Sequence, residues 1–296
     1  MDGILNVYKP AGPTSHDVVA AVRRYSKQRR VGHAGTLDPA ASGVLLVCLG
    51  QATRVIEFMA GLDKEYCAEI TLGQTTDTYD AAGRFTSPAT VPSFTPEQIE
   101  AALASFVGSI EQVPPAFSAI KQAGQPLYRL ARAGKEIRPQ PRRVHIYSIE
   151  LLAWEPPNLL LKVRCGKGTY IRSLAHDLGQ RLGSGGYLRN LLRLASGRFT
   201  LDDAATLAEV RHAFAEGYAE NLVFPLDEAL LELPAVVLGD DSVRRVAQGS
   251  RWQGPRPPAE QALCRAYSTH GELVALLENE DGTTVWKPRK VFTLGS

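Results

Sequence analysis

Cysteine is scarce in this chain of 296 residues: there are four, at 48, 67, 165 and 264, and no two form a Cys-x-x-Cys pair. Without closely spaced Cys and His no zinc site is suggested, and buried reduced thiols are favoured over a catalytic thiol. Long apolar runs are also missing. The stretch from Gly43 to Gly50 falls far short of the roughly 20 residues a membrane helix needs. Met1-Asp2-Gly3-Ile4-Leu5-Asn6 has no basic segment before an apolar one, so a secretory signal is not expected and a cytoplasmic protein is. No zipper-like heptad runs along the chain, which predicts a monomer with no obligatory protein partner. A large charge of one sign is absent as well, the net charge being only +2.

What is present is average in bulk and uneven in detail. Hydrophobic residues make up 44% and charged residues 22%, enough for an ordinary packed core and a length that allows two domains. Arg23, Arg24, Lys27, Arg29 and Arg30 crowd one short stretch. From Lys121 to Tyr147 seven basic residues face one acid, Glu136, a local charge of +6. Residues 230 to 296 carry eight of each sign. Two basic patches on a near-neutral chain fit an aligned anionic partner, and equally a solvated charged face.

Gly3 to Tyr8 reads as a strand. Thr14 with Asp17 offers a capping box for a helix through Val18, Val19, Val22 and Tyr25. A glycine-punctuated loop is expected over Gly32 to Pro39, then a buried strand from Val44 to Leu49 and a helix from Gln51 to Ala60. Tyr66 to Leu72 alternates as a strand does. Thr95 and Pro96 open a helix to about Val107. Residues 113 to 143 hold five prolines and two glycines, the texture of a functional loop. Strands are expected at 144–154 and 159–165, a helix from Thr169 to Leu182, and another from Asp202 to about Phe214. After Pro225 to Pro234 short strands alternate with turns, which predicts a small β-rich unit.

Two segments carry candidate chemistry. In Gly32-His33-Ala34-Gly35-Thr36-Leu37-Asp38-Pro39 the glycines permit unusual backbone angles and Pro39 keeps Asp38 out of helical geometry. A carboxylate held in such a loop can be a nucleophile or a general base; it can also be a plain turn former. In Cys165-Gly166-Lys167-Gly168-Thr169-Tyr170-Ile171-Arg172, Thr169 reads as the N-cap, leaving Tyr170 and Arg172 in the first helical turn. A Tyr can pack on a base and an Arg can pair with a carboxylate or phosphate. The bland alternative is a core ring and a surface charge. The Walker A pattern is absent.

Together the motifs resemble those of the TruB-type tRNA pseudouridine synthases. They are Asn6-Val7-Tyr8-Lys9-Pro10 with Gly12-Pro13-Thr14-Ser15, the run from Gly32 to Gly43, Asp63-Lys64-Glu65-Tyr66, Thr76 through Gly83, and Lys167 through Arg172. They fall in family order over nearly the whole chain. Ala34 stands where Thr is common, Gly166 where Ser is common, and Leu192 where a basic residue is frequent.

The resemblance implies an α+β fold, a mixed, mainly antiparallel sheet with flanking helices, followed by a small PUA-like β-barrel. It implies a catalytic domain over 1–228, an RNA-gripping insertion at about 114–147, and an RNA-binding domain over 229–296. It implies formation of pseudouridine at position 55 in the T-loop of tRNA, with neither cofactor nor metal. Asp38 would be the essential carboxylate, attacking uracil C6 or ribose C1′ or assisting a glycal route. The target base would be flipped out, with Tyr66 stacked on it, Tyr170 beside it, and Leu188 as an apolar wall. Arg172 would pair with Asp38 and with Asp80. His33 would fill the flipped base's gap or brace its loop, and Lys9 would contact RNA backbone or brace the Asp38 loop. Arg138, Arg142 and Arg143 would hold RNA phosphates, in a segment 121–147 expected to be loosely ordered without RNA. The rival reading is an RNA-binding or RNA-folding protein with secondary catalysis.

Overall fold

The computed structural model describes residues 1–117, 121–122, 125–126, 139–257, 262–279 and 282–293. Eleven of the described strands form one sheet. They are β1 (Gly3–Lys9), β2 (Val31–Ala34), β3 (Ser42–Leu49), β4 (Lys64–Leu72) and β5 (Gly108–Gln112). Among the described residues β6 (Lys121–Gln122) and β7 (Gln125–Pro126) pair only with each other. The large sheet continues with β8 (Arg142–Glu155), β9 (Asn158–Cys165), β10 (Gly186–Ser196), β11 (Phe199–Thr200), β12 (Ala205–Thr206) and β13 (Val223–Phe224). Its path runs β12-β1-β3-β10-β4-β9-β8-β5. Only β1 with β12 and β3 with β10 run parallel within it.

β3 is buried at nearly every position because it has a core on each side. Leu45, Val47 and Leu49 pack with Val18 and Val22 of α1 (Ser15–Ser26), whereas Val44, Leu46 and Cys48 face Met59 of α2 (Ile56–Met59). Such a strand reads as an unbroken apolar run rather than an alternation. β4 does alternate. Tyr66, Ala68, Ile70 and Leu72 join a third core with α3 (Pro96–Ala104) and α4 (Ile171–Arg181). α1 and α3 start at the expected capping boxes, on Thr14 with Asp17 and Thr95 with Gln98.

Several boundaries differ from expectation. Residues 31–34 are a strand paired with β3, not part of a loop. The stretch expected as one helix from Gln51 is a 3₁₀ turn, Gly50–Val55, followed by the short α2. The helix expected at Asp202 begins at Leu207, as α5 (Leu207–Glu216), because Thr206 and Glu209 form its capping box. Of residues 121–147, expected to be loosely ordered, 142–146 pair with β5 at the start of β8, and 123–124 and 127–138 lie outside the described residues.

A second, curled sheet has the order β14-β16-β17-β18-β15. It comprises β14 (Ala235–Val237), β15 (Trp252–Gln253), β16 (Leu263–Tyr267), β17 (Leu273–Glu278) and β18 (Val285–Val291), with α6 (Asp240–Ala247) against it. This is the PUA-like unit that the resemblance implies.

Candidate active site

Asp38 is held by its loop before any side chain touches its carboxylate. Leu37 is buried, and Ser15 Oγ both accepts from its N–H (2.9 Å) and donates to its carbonyl (3.0 Å). Gly12 N–H donates to the Pro39 carbonyl at 2.8 Å. Lys9, wholly buried, donates its ammonium to the carbonyls of Ala41 (2.6 Å), Pro10 (3.0 Å) and Pro39 (3.2 Å). Of the two roles open to Lys9, this geometry is that of a loop brace. Burial lowers its pKa to about 8, partly offset by the nearby Asp38. Gly43, at φ +105°, lies so close to the Arg193 backbone that a Cβ there would sit 2.2 Å from the Arg193 carbonyl oxygen. Only glycine permits that approach.

Arg172 converges on Asp38 from the first turn of α4. Its Nε lies 3.0 Å from Asp38 Oδ2 and its Nη1 3.5 Å from Asp80 Oδ2. Nη2 donates to the Phe117 carbonyl at 3.0 Å. The Arg172 side chain is 6% exposed, that of Asp38 42%, so the cation is fixed in the wall while one side of the carboxylate stays open. Burial raises the Asp38 pKa; Arg172 opposes this and Asp80 adds to it. Asp80 is itself set by Thr78 Oγ1, 2.7 Å from its Oδ1, and by the Ala82 N–H at 3.1 Å. Tyr79 beside it adopts a left-handed φ of 64° and stacks on His176 of α4 at 3.9 Å.

Asp38, Tyr66, Tyr170 and Arg172 line one cavity of about 270 Å³. Tyr66 is buried, with its hydroxyl hydrogen-bonded to Arg193 and its pKa raised by burial. Tyr170 itself occupies the N-cap of α4, a correction to the expectation of Thr169. Gln112 sets it there, accepting from the Tyr170 N–H at 2.8 Å and donating to its carbonyl at 3.0 Å. Leu188 does not line the cavity. It is buried in the core below, where its backbone pairs with the 79–81 loop, and Leu191 lines the cavity instead. The bulge between Leu188 and Asn190 shifts the face of β10, which the sequence pattern does not reveal.

His33 also lies outside the lining. It sits on β2 with its ring edge-on to His16, centroids 5.2 Å apart, and burial lowers its pKa. Arg142 and Arg143 are exposed at the start of β8, opposite Gln112 and Glu111. Arg138 lies outside the described residues.

Two cations went unrecognised in the sequence. Arg193 is 1% exposed and donates to the carbonyls of Val44 (2.6 Å) and Gly35 (2.9 Å). Lys64 is also buried and donates to Ala60 at 2.9 Å, with its pKa lowered to about 8 chiefly by burial. Both line the cavity. The available signal was phase: Lys64 occupies an inward position of the β4 alternation, and Arg193 pairs with Tyr66 in register.

Comparison with known proteins shows the family. Residues 23–171 match the TruB family pseudouridylate synthase N-terminal domain, and residues 172–231 match the tRNA pseudouridylate synthase B C-terminal domain. The tRNA pseudouridine synthase B of Dehalococcoides mccartyi is 45% identical over 99% of this chain and 97% of its own. That of Geobacillus thermodenitrificans is also 45% identical, over 99% of this chain and 100% of its own. Among solved structures, a crystal structure of a Cbf5-Nop10-Gar1 complex is similar with a TM-score of 0.77 at 29% identity, covering 98% of this chain and 85% of that one. An H/ACA RNP bound to a substrate RNA containing 2′-deoxyuridine has a TM-score of 0.75 at 27% identity, covering 99% and 85%. With both domain matches in order and relatives alike along almost their full length, the chain belongs to the TruB family of pseudouridylate synthases.

Proposed function

We propose that this protein forms pseudouridine at position 55 in the T-loop of tRNA, with Asp38 as the essential carboxylate and the target base flipped from its stack. As a member of its family it is an isomerase that acts on uridine in tRNA. The observation that carries the finer reading is the half-open Asp38 carboxylate paired with the buried Arg172 at a cavity walled by Tyr66 and Tyr170.

The reaction breaks the bond from uracil N1 to ribose C1′ and forms one from C5 to C1′. A proton leaves C5 and one is gained at N1. Asp38 in its ionised form supplies an anion for bonding or proton transfer, and Arg172 favours that form. A stacked uridine cannot reach a recessed carboxylate, so the base must leave the helix. Tyr66 offers it an apolar surface and Leu191 closes the wall. His33, whose burial disfavours its charged form, is given the space the base vacates. Arg142 and Arg143 face solvent and are available to phosphates; Arg138 is given the same role from the sequence alone. The catalytic domain is assigned to 1–228 and the RNA-binding unit to 229–296.

Tritium release from tRNA carrying 5-tritiated uridine at position 55 alone tests the reading. Wild-type protein should release it and the Asp38→Asn variant should not. Binding without release by the wild type would leave the RNA-binding reading in its place.

A further inference from the structure

A larger groove, of about 660 Å³, adjoins the catalytic cavity, and Lys64 lines both. Its lining includes Phe58, Leu62, Tyr147, Arg164, Leu230 and Leu233. Tyr147 stands where β8 gains one residue on its neighbour: Ile146 pairs with Cys165, but Ser148 with Arg164. Such a bulge re-aims a side chain out of the strand's alternation. Here it leaves Tyr147 and Ser148 both exposed, Tyr147 at 43%.

The exposed ring is nevertheless fixed. It packs against His145 with centroids 4.6 Å apart, and the Arg164 guanidinium lies 5.2 Å from its centre. Its hydroxyl hydrogen-bonds Asp63, which also pairs with Arg164 at 3.3 Å. The catalytic cavity is close by, for a Cβ on its lining residue Gly166 would lie 3.6 Å from the Tyr147 hydroxyl.

The charges around the groove are largely matched. Lys162, Arg164 and Arg198 have Glu65, Asp63 and Glu228 as partners, and Lys64 donates to backbone carbonyls. A surface neutralised in this way is poorly suited to phosphate, which binds through unmatched cations. A rigid aromatic face beside a guanidinium suits the π-face of a base. We propose that this groove is a subsite for one unpaired nucleobase of the RNA, adjacent in the strand to the uridine in the catalytic cavity and stacked on Tyr147. The shared Lys64 wall makes the neighbouring nucleotide the occupant. The inference rests on the proposed function.

The test uses the full-length protein with a T-arm stem–loop carrying 5-tritiated uridine at the target, and with two versions abasic immediately 5′ or 3′ of it. Tyr147→Ala should weaken binding of the intact RNA about five- to 160-fold, the range of one stacked base. Tyr147→Phe should stay near wild type, and the salt slope should not change. On one of the abasic RNAs wild type should lose a similar factor, with Tyr147→Ala adding nothing further. Unaltered binding by Tyr147→Ala, an equal loss on all three RNAs, or a shallower salt slope, which marks a phosphate contact, would each overturn the subsite. Failure of wild type to release tritium from the intact RNA would instead refute the proposed function.

Discussion

The surroundings of Asp38 and the seam between the two sheets use cations in opposite ways. Around Asp38, the ammonium of Lys9 and the guanidinium of Arg193 are buried and donate to backbone carbonyls. At the seam, Arg289 and Lys290 of β18 are solvated and pair with Glu57 at 3.3 and 2.7 Å. Apolar contact joins the sheets: Leu276 and Phe292 share one core with Ile4 and Met59. Buried donors with fixed acceptors set geometry to a fraction of an ångström, which chemistry on one carboxylate requires. Exposed pairs are screened and contribute little. The first region is built for position, the second for attachment.

The strongest way to break this contrast is Asp38→Asn. Turnover should fall at least about a thousandfold while tRNA affinity stays within a few-fold, because the amide keeps the shape and loses the basicity. Single-turnover tritium release beside filter binding measures both. Comparable losses in the two would make Asp38 a binding residue.

Arg172→Leu probes the electrostatics of the same carboxylate. In the proposed role Asp38 acts when ionised, and burial already raises its pKa above 3.8. Activity is therefore present above the folded-state value and lost as pH falls through it. Removing Arg172, which lowers that value, should move the acid limb of the pH–rate profile upward. An unmoved limb would show that another group sets it.

Arg193→Met tests the buried cations. The carbonyls of Val44 and Gly35 would lose their donors, at about 1–3 kcal/mol for a buried one. We expect a loss of about 3 kcal/mol in denaturant unfolding, accompanied by slower turnover. Phe292→Ala should cost about 3 kcal/mol, the low end for a phenylalanine, and should leave the chemical step on bound RNA nearly intact. If Phe292→Ala slowed that step as much as Arg193→Met, the division between position and attachment would fail.

Glu57→Gln should do least. It removes the partner of Arg289 and Lys290, so thermal stability should change less than with Phe292→Ala and still less at high salt. A salt-insensitive loss comparable to that of Phe292→Ala would make the seam electrostatic after all.

Much of this was legible in the residues. The capping boxes at Thr14 and Thr95, the alternation of β4 and the run of β3 are local signals, and each element formed within a few residues of its expected place. Asp38 and Arg172 came from motifs, and the fold pairs them at 3.0 Å. Other positions were not legible. Leu188 and Leu191 are both apolar and three apart; which one meets the cavity depends on a bulge whose existence needs the partner strand. Tyr170 rather than Thr169 caps α4 because Gln112, distant in sequence, holds its backbone.

The sequence by itself thus determined the capped helices and the apolar strands, the family resemblance and the candidate carboxylate, since these rest on neighbouring residues and side-chain type. Only the tertiary structure decided that Lys9 and Arg193 brace the loop around Asp38, that Tyr147 is turned out beside the cavity, and that Phe292 joins the second sheet to the first. Each depends on which strand lies next to which, and hydrogen bonds and burial between distant segments exist only once that pairing is made.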